Sequence, residues 1–280
     1  MSLTTPSKIR ELQIMLYRKA KNEPGYRFYL LYDKMYREDI LAHAYQLARS
    51  NKGAPEVDGE SFEAIESKGL GEWLTGIREE LRSKTYQPQP VRRVLIPKPG
   101  GGERPLGIPT IRDRVVQTAA KLVIEPIFEA DLEPNAYGYR PRRSAQDAIR
   151  EVHELLCEGY TDVVDADLSK YFDTIPHSEL MQCVARRIVD REMLRLIKTW
   201  LTVPVEEQDE NGKRRLTGGT VEGLSIGEIT RRLNTEGIPT RKASRWERSV
   251  VWALLRNPAY LGLACFGKTR VSVRCSPTCT

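Results

Sequence analysis

The chain predicts an α+β protein that ends in a small all-α segment, and three observations predict it. Apolar residues recur at three- and four-residue spacing through residues 7–49 and 63–83, and again through 113–132 and 144–155, the periodicity of helices. Between them, residues 86–110 read differently: Val91, Val94, Leu95 and Ile96, then Gly100, Gly101 and Gly102, then Leu106 and Ile108. That pattern is a strand, a tight glycine turn and a returning strand. After Gly219 the style changes once more. Two Ser-x-x-Glu runs, Ser225 to Glu228 and Ser244 to Glu247, each precede an apolar helical pattern. In such a capping box the two side chains satisfy each other's free backbone donors.

Composition narrows the class. Hydrophobic content of 40% with 29% charged residues belongs to a globular chain, and 280 residues suffice for a sizeable core. No run of about 18 apolar residues occurs, so no membrane partner is predicted. The N-terminus has no signal-peptide core, and the five cysteines form no closely spaced framework; both point to the cytoplasm. The net charge of +6 is unevenly placed. From Thr220 onward there are ten Lys and Arg against four acids, so the whole basic excess falls in the last 61 residues. Such a tail suits either a nucleic-acid partner or a solvated basic face.

The elements follow in order. Ser7 to Arg49 reads as helices broken at residues 22–25, and residues 51–59 are a loop punctuated by Gly53, Pro55 and Gly59. Glu63 to Ser83 is a helix, then comes the glycine hairpin. A long amphipathic helix is entered from Asp113 and disturbed at Pro126. Ser144 caps the next, which turns Ala148, Ile149, Val152 and Leu155 inward. Val163 to Leu168 reads as a buried strand and His177 to Val189 as a helix. His43, His153 and His177 read as helix or surface residues.

Two stretches carry chemistry. Residues 163–177, VVDADLSKYFDTIPH, place Asp165, Asp167 and Asp173 at and beyond a strand end. Asp165 and Asp167 share a face because strand side chains alternate. A carboxylate there can hold a divalent ion for two-metal nucleotidyl transfer, or it can be a turn former and cap. The second stretch is the hairpin, where Lys98 and Arg104 flank the glycine tip. The two cations could fold over a triphosphate; as a plain hairpin they would be solvated.

Together these segments carry a family resemblance. NKGAPEVDG, the run from Tyr86 to Pro141, DADLSKYFDTIPH and WLTVPVEEQDENGKRRLTGG occur in the order found in group II intron reverse transcriptase/maturases. The chain resembles that family from about residue 10 to Gly219. The resemblance implies a partial right-hand polymerase, fingers plus incomplete palm, acting on group II intron RNA and DNA with dNTP and Mg²⁺. It makes Asp167 the first catalytic, metal-binding aspartate, places Phe172 under the incoming sugar, and gives Lys98 and Arg104 the phosphates. Two departures stand out. Glu56 replaces a glycine of the family pattern, and no Gln-Gly box or Tyr-x-Asp-Asp hairpin follows Gly219. The chain contains no Asp-Asp pair, so it is expected to be a truncated enzyme, inactive alone.

Residues 222–269 resemble a second family, the recombinase domain of large serine site-specific recombinases. The cues are GLSIGEITRRLN, GIPTR, the helix after Ser244 and LRNPAYLG. This implies a DNA-binding-like segment in which Arg241, Lys242, Arg245 and Arg248 meet nucleic acid. Cys265, Cys275 and Cys279 read as free thiols or as part of a zinc site. The expected organisation is therefore a chimera: residues 1–219, then a helical segment over 220–270, then a disordered tail over 271–280. The alternative function is a non-catalytic nucleic-acid-binding module.

Overall fold

The computed structural model describes residues 4–51, 59–97, 101–162, 175–208, 214–217 and Asn234. The predicted strand over 163–168, the expected boundary at 219/220 and the C-terminal segment lie outside the described residues. The chain divides into two compact units, Met1–Asp131 with Ala166–Leu224, and Leu132–Asp165 with Ser225–Thr280.

The first unit is built on helices. In α1 (Ser7–Asn22), Ile9, Leu12, Leu16 and Ala20 form one buried stripe, and Lys19 and Lys21 complement the negative helix end. A short α2 (Tyr32–Met35) leads to α3 (Glu38–Ser50), whose first turn carries Glu38 and Asp39 at the positive end of the dipole. In α4 (Phe62–Arg82) Ser61 caps the start, its side chain accepting from the Ala64 N–H at 3.2 Å, and Gly69 interrupts the helix midway. The centre of the unit is α5 (Ile111–Glu129), which lies against α1, α2, α3 and α4. Val115, Val116, Ala119, Ala120, Val123 and Ile127 of α5 are buried, which is why its pattern is apolar over more than one stripe.

The sheet has four strands in the order β2–β1–β3–β4: β1 (Val91–Pro97), β2 (Glu103–Ile108), β3 (Val205–Gln208) and β4 (Arg214–Thr217). The predicted hairpin is present, β1 pairing antiparallel with β2 from Arg92 opposite Ile108 to Pro97 opposite Glu103. Two further strands were not anticipated. β3 runs parallel to β1 and returns antiparallel in β4. Asn211-Gly212, between them in sequence, is the hairpin signal that could have announced the pair.

Three other expectations change. The helix read as entered from Asp113 starts at Ile111, because Thr110 is the cap and accepts from the Asp113 N–H at 3.2 Å. The helix read over 177–189 ends at Ala185 as α7 (His177–Ala185). Asp190 then opens another, α8 (Arg191–Leu201), which buries Met193 and Leu196. The third concerns α6 (Ala145–Cys157) of the second unit. Its Ser144 cap is present as a full capping box with Asp147. Its apolar residues are nevertheless open: Ile149 is 68% exposed, and Val152, Leu155 and Leu156 are exposed too. Periodicity says that a face needs cover, not which segment supplies it, and no described residue covers this one.

No described helix is long and apolar enough to cross a membrane.

Candidate active site

The hairpin is the one part of the predicted site that the described residues reach. Its geometry starts from the glycines: Gly101 (φ 87°) and Gly102 (φ 79°) hold left-handed backbone, which costs an L side chain about 1 kcal/mol or more. Arg104 occupies the β2 position opposite Ile96, two residues after that turn. Gly107 has another reason to be glycine, since a Cβ there would stand 2.9 Å from Val91 Cγ1. On one sheet face Leu106 lies opposite Val94, and both Leu106 and Leu216 are largely exposed.

What aims the hairpin is a buried polar cluster at its base. Asp113 is 1% exposed and accepts from the Tyr86 hydroxyl at 2.6 Å and from the Gln89 N–H at 2.8 Å. One carboxylate on the first turn of α5 therefore fixes the chain just before β1. Burial, reinforced by the Asp113 charge, pushes the Tyr86 phenol far above its ordinary pKa, so it stays a donor. Arg112 lies over the Tyr86 ring at 4.6 Å and pairs with Glu80, its pKa lowered by burial. At the other side of the sheet, Arg93 pairs with Glu207, and the Val91 N–H donates to the Pro204 carbonyl at 2.9 Å. Sequence reasoning missed this cluster. Its signal is the Thr110-x-x-Asp113 spacing, a capping-box pattern whose acid has been turned to another task.

A second clamp fixes the chain just after the aspartate-rich stretch. Asp190 is buried and serves two helices. Its Oδ2 accepts from the Leu31 and Tyr32 N–H groups, each at 2.8 Å, and its Oδ1 from Glu192 and Met193 at 3.1 and 3.2 Å. Arg187, also buried, donates to the carbonyls of Ala20, Glu23, Pro24 and Tyr26 and pairs with Asp131 at 3.0 Å. A single parallel bridge, Phe28 to Ile188, completes the tie. These groups position the segment that leaves the predicted catalytic stretch; they do not reach it.

Asp167, Phe172 and Lys98 lie outside the described residues, as do Arg241, Lys242, Arg245 and Arg248; Arg104 is placed by its backbone alone. Among the described residues no group of three His, Cys, Asp or Glu side chains could hold a metal ion. A Mg²⁺ site therefore has no described ligand set against which it can be fitted.

Comparison with known proteins supplies the family. The chain is 40% identical over 227 residues to protein YkfC of Escherichia coli K12, covering 79% of this chain and 59% of that one. It is 36% identical over 182 residues to the group II intron-encoded protein LtrA of Lactococcus lactis subsp. cremoris, covering 62% of this chain and 29% of that one. It thus spans less than two thirds of the first relative's length and less than a third of the second's. A solved structure described as a partial Cas6-RT-Cas1–Cas2 complex aligns over 74% of this chain and 35% of that one, at 20% identity and a TM-score of 0.39. The sequence model described as reverse transcriptase (RNA-dependent DNA polymerase) matches residues 96–250, more than half of the chain and both chemistry-bearing stretches. By that match, the chain belongs to the reverse transcriptase family.

Proposed function

We propose that the chain is the nucleotide-gripping fingers and first palm segment of a group II intron-type reverse transcriptase. Lys98 and Arg104 would hold the dNTP phosphates, Phe172 would lie under the sugar, and Asp167 would be a Mg²⁺ ligand. The observation that carries this reading is the β1–β2 hairpin, whose tip and returning strand fall inside the region matched to the family. Its tip runs through left-handed Gly101 and Gly102, and Arg104 sits in its returning arm. Charge-assisted hydrogen bonds from two cations suit a triphosphate. Group II intron RNA and DNA enter as partners through the kinship with LtrA, and the cytoplasm as the setting.

These 280 residues contain no Asp-Asp pair, so in this reading the chain alone does not extend a primer. Two measurements test it. Binding of a fluorescent dNTP with Mg²⁺ should weaken about tenfold or more in Lys98→Ala and in Arg104→Ala, each losing a bond to a charged group. Unchanged affinity in both would remove the phosphate grip. Primer extension on an RNA template should yield no product. Product that disappears in Asp167→Ala would overturn the inactive reading and leave a working polymerase.

A second reading has its own support in the basic excess of residues 220–280. It treats the chain as a non-catalytic nucleic-acid-binding module, with Arg241, Lys242, Arg245 and Arg248 on phosphates as in a serine-recombinase DNA-binding segment. DNA retention without dNTP binding would favour it.

A further inference from the structure

Three cysteines of the tail, Cys265, Cys275 and Cys279, are too few for a closed zinc site by themselves. Structural zinc is held in a tetrahedron by four side chains, drawn from Cys and His. The described residues contain a pair that fits such a site, at the end of α6.

His153 and Cys157 stand four residues apart on α6, so both side chains leave the same face of the helix. Cys157 Sγ lies 3.8 Å from His153 Nδ1 and 4.0 Å from Nε2. Two ligands of one tetrahedral Zn²⁺ stand about 3.5 Å apart, given bonds of about 2.3 Å to sulfur and about 2.0 Å to nitrogen. The pair is thus nearly at the separation that a shared ion requires. Both residues are exposed and Cys157 is a free thiol, so an ion has open access to them. The helix end holds them in register: Gly159 takes φ 99°, and the Gly159 and Tyr160 N–H groups close the last turn on the Leu156 and Leu155 carbonyls, each at 3.1 Å. Charge favours a cation there as well. α6 carries no basic residue in its last turn to complement the negative end of its dipole, and Glu154 and Glu158 add to that negative field.

We infer that His153 and Cys157 anchor a Zn²⁺-class ion and that Cys275 and Cys279 close its coordination. The tail pair lies outside the described residues, and two observations select it. Cys275-Ser-Pro-Thr-Cys279 has a spacing that lets two thiolates meet one tetrahedral ion. The same compact unit takes in residues 132–165, with α6, and residues 225–280, with the tail. Each thiol gives up its proton to solvent as it binds, and the imidazole binds neutral through one ring nitrogen. Sulfur and nitrogen ligands suit Zn²⁺, whereas Mg²⁺ takes oxygen, so this site is separate from the proposed nucleotide site and does not depend on it. Occupied, it ties the last turn of α6 to residues 275–279 and adds metal-binding free energy to the folding of the second unit.

Cobalt titration of the reduced, metal-free full chain tests it, since Co²⁺ stands in for Zn²⁺ and reports tetrahedral thiolate ligation in its visible absorption. The absorption should saturate at one ion per chain, vanish on addition of Zn²⁺ and persist in excess Mg²⁺. His153→Gln and Cys157→Ser should each weaken Zn²⁺ binding about 100-fold or more, because even an outer hydrogen-bond partner of a ligand is worth about 10- to 100-fold. Both side chains are exposed, so neither change disturbs the core. Cys275→Ser and Cys279→Ser should weaken binding likewise, while Cys183→Ser, outside the site, should not. Unchanged affinity in His153→Gln and Cys157→Ser would overturn the site. One ion shared by two chains, with the two tail variants unaffected, would overturn the tail assignment in favour of a second copy of α6.

Discussion

Asp190 shows how much of this molecule hangs on single side chains. Its carboxylate accepts four backbone N–H groups at two helix starts. Replacing a cap costs about 1 kcal/mol, and leaving buried donors unmet costs about 1–3 kcal/mol more. Asp190→Ala should therefore lower the unfolding free energy by about 3 kcal/mol in urea titration, and Asp190→Asn by less, since its amide oxygen can still serve one helix. His43, buried in α3, supplies a pH dependence. Burial lowers its pKa, with the nearby Gln46 side chain opposing, so folding favours the neutral ring while the unfolded chain takes up a proton near pH 6.5. The stability from this group is present above about pH 6.5 and is lost as pH falls toward the lower, folded pKa. Thermal melts at pH 8 and pH 5 should differ by more in the wild type than in His43→Gln. Neither role shows in sequence. Asp190 reads as an ordinary cap for α8, because the helix it also serves starts 158 residues earlier, and no local pattern records such a distance.

The helices and the glycine hairpin were legible because each carries its own local signal. α1, α3, α4 and α5 have stripes of the right period, and three consecutive glycines leave few alternatives to a turn. β3 was not legible. Val205-Glu-Glu-Gln lacks alternation, and its pairing comes from β1, more than a hundred residues away. The exposed face of α6 is a different case: its period marks one apolar face, but nothing local says which segment covers it. Of the candidate site, the hairpin was legible from its glycines, whereas the Tyr86–Asp113 base beneath it depends on a fold-level approach. At this scale the hairpin makes a prediction of its own. Gly101→Ala should cost about 1 kcal/mol through its left-handed backbone. Gly107→Ala should also destabilise, because the stiff, β-branched Val91 must yield to the new Cβ. Melting temperatures of the two variants check this, and an unchanged value for Gly107→Ala would mean that Val91 gives way freely.

Across the whole molecule charge is the main lever, for the +6 excess lies within the last 61 residues. If Arg241, Lys242, Arg245 and Arg248 meet phosphates, changing all four to glutamine should reduce the salt slope of DNA binding by about 3 to 4. A slope that stays put would assign nucleic-acid affinity to the rest of the chain. The Arg187 and Asp190 clamps have a consequence in time as well as in space. Arg187 reaches back 167 residues to the carbonyl of Ala20. A ribosome adding about 5–20 residues per second needs on the order of 10–30 s to make that stretch. Once α5 has been made, late in that interval, α1 can dock on it, yet the carbonyls at the end of α1 still wait for their donor. The nascent chain thus carries a half-closed N-terminal layer until residues 187–193 emerge, and this is when a chaperone would find it open.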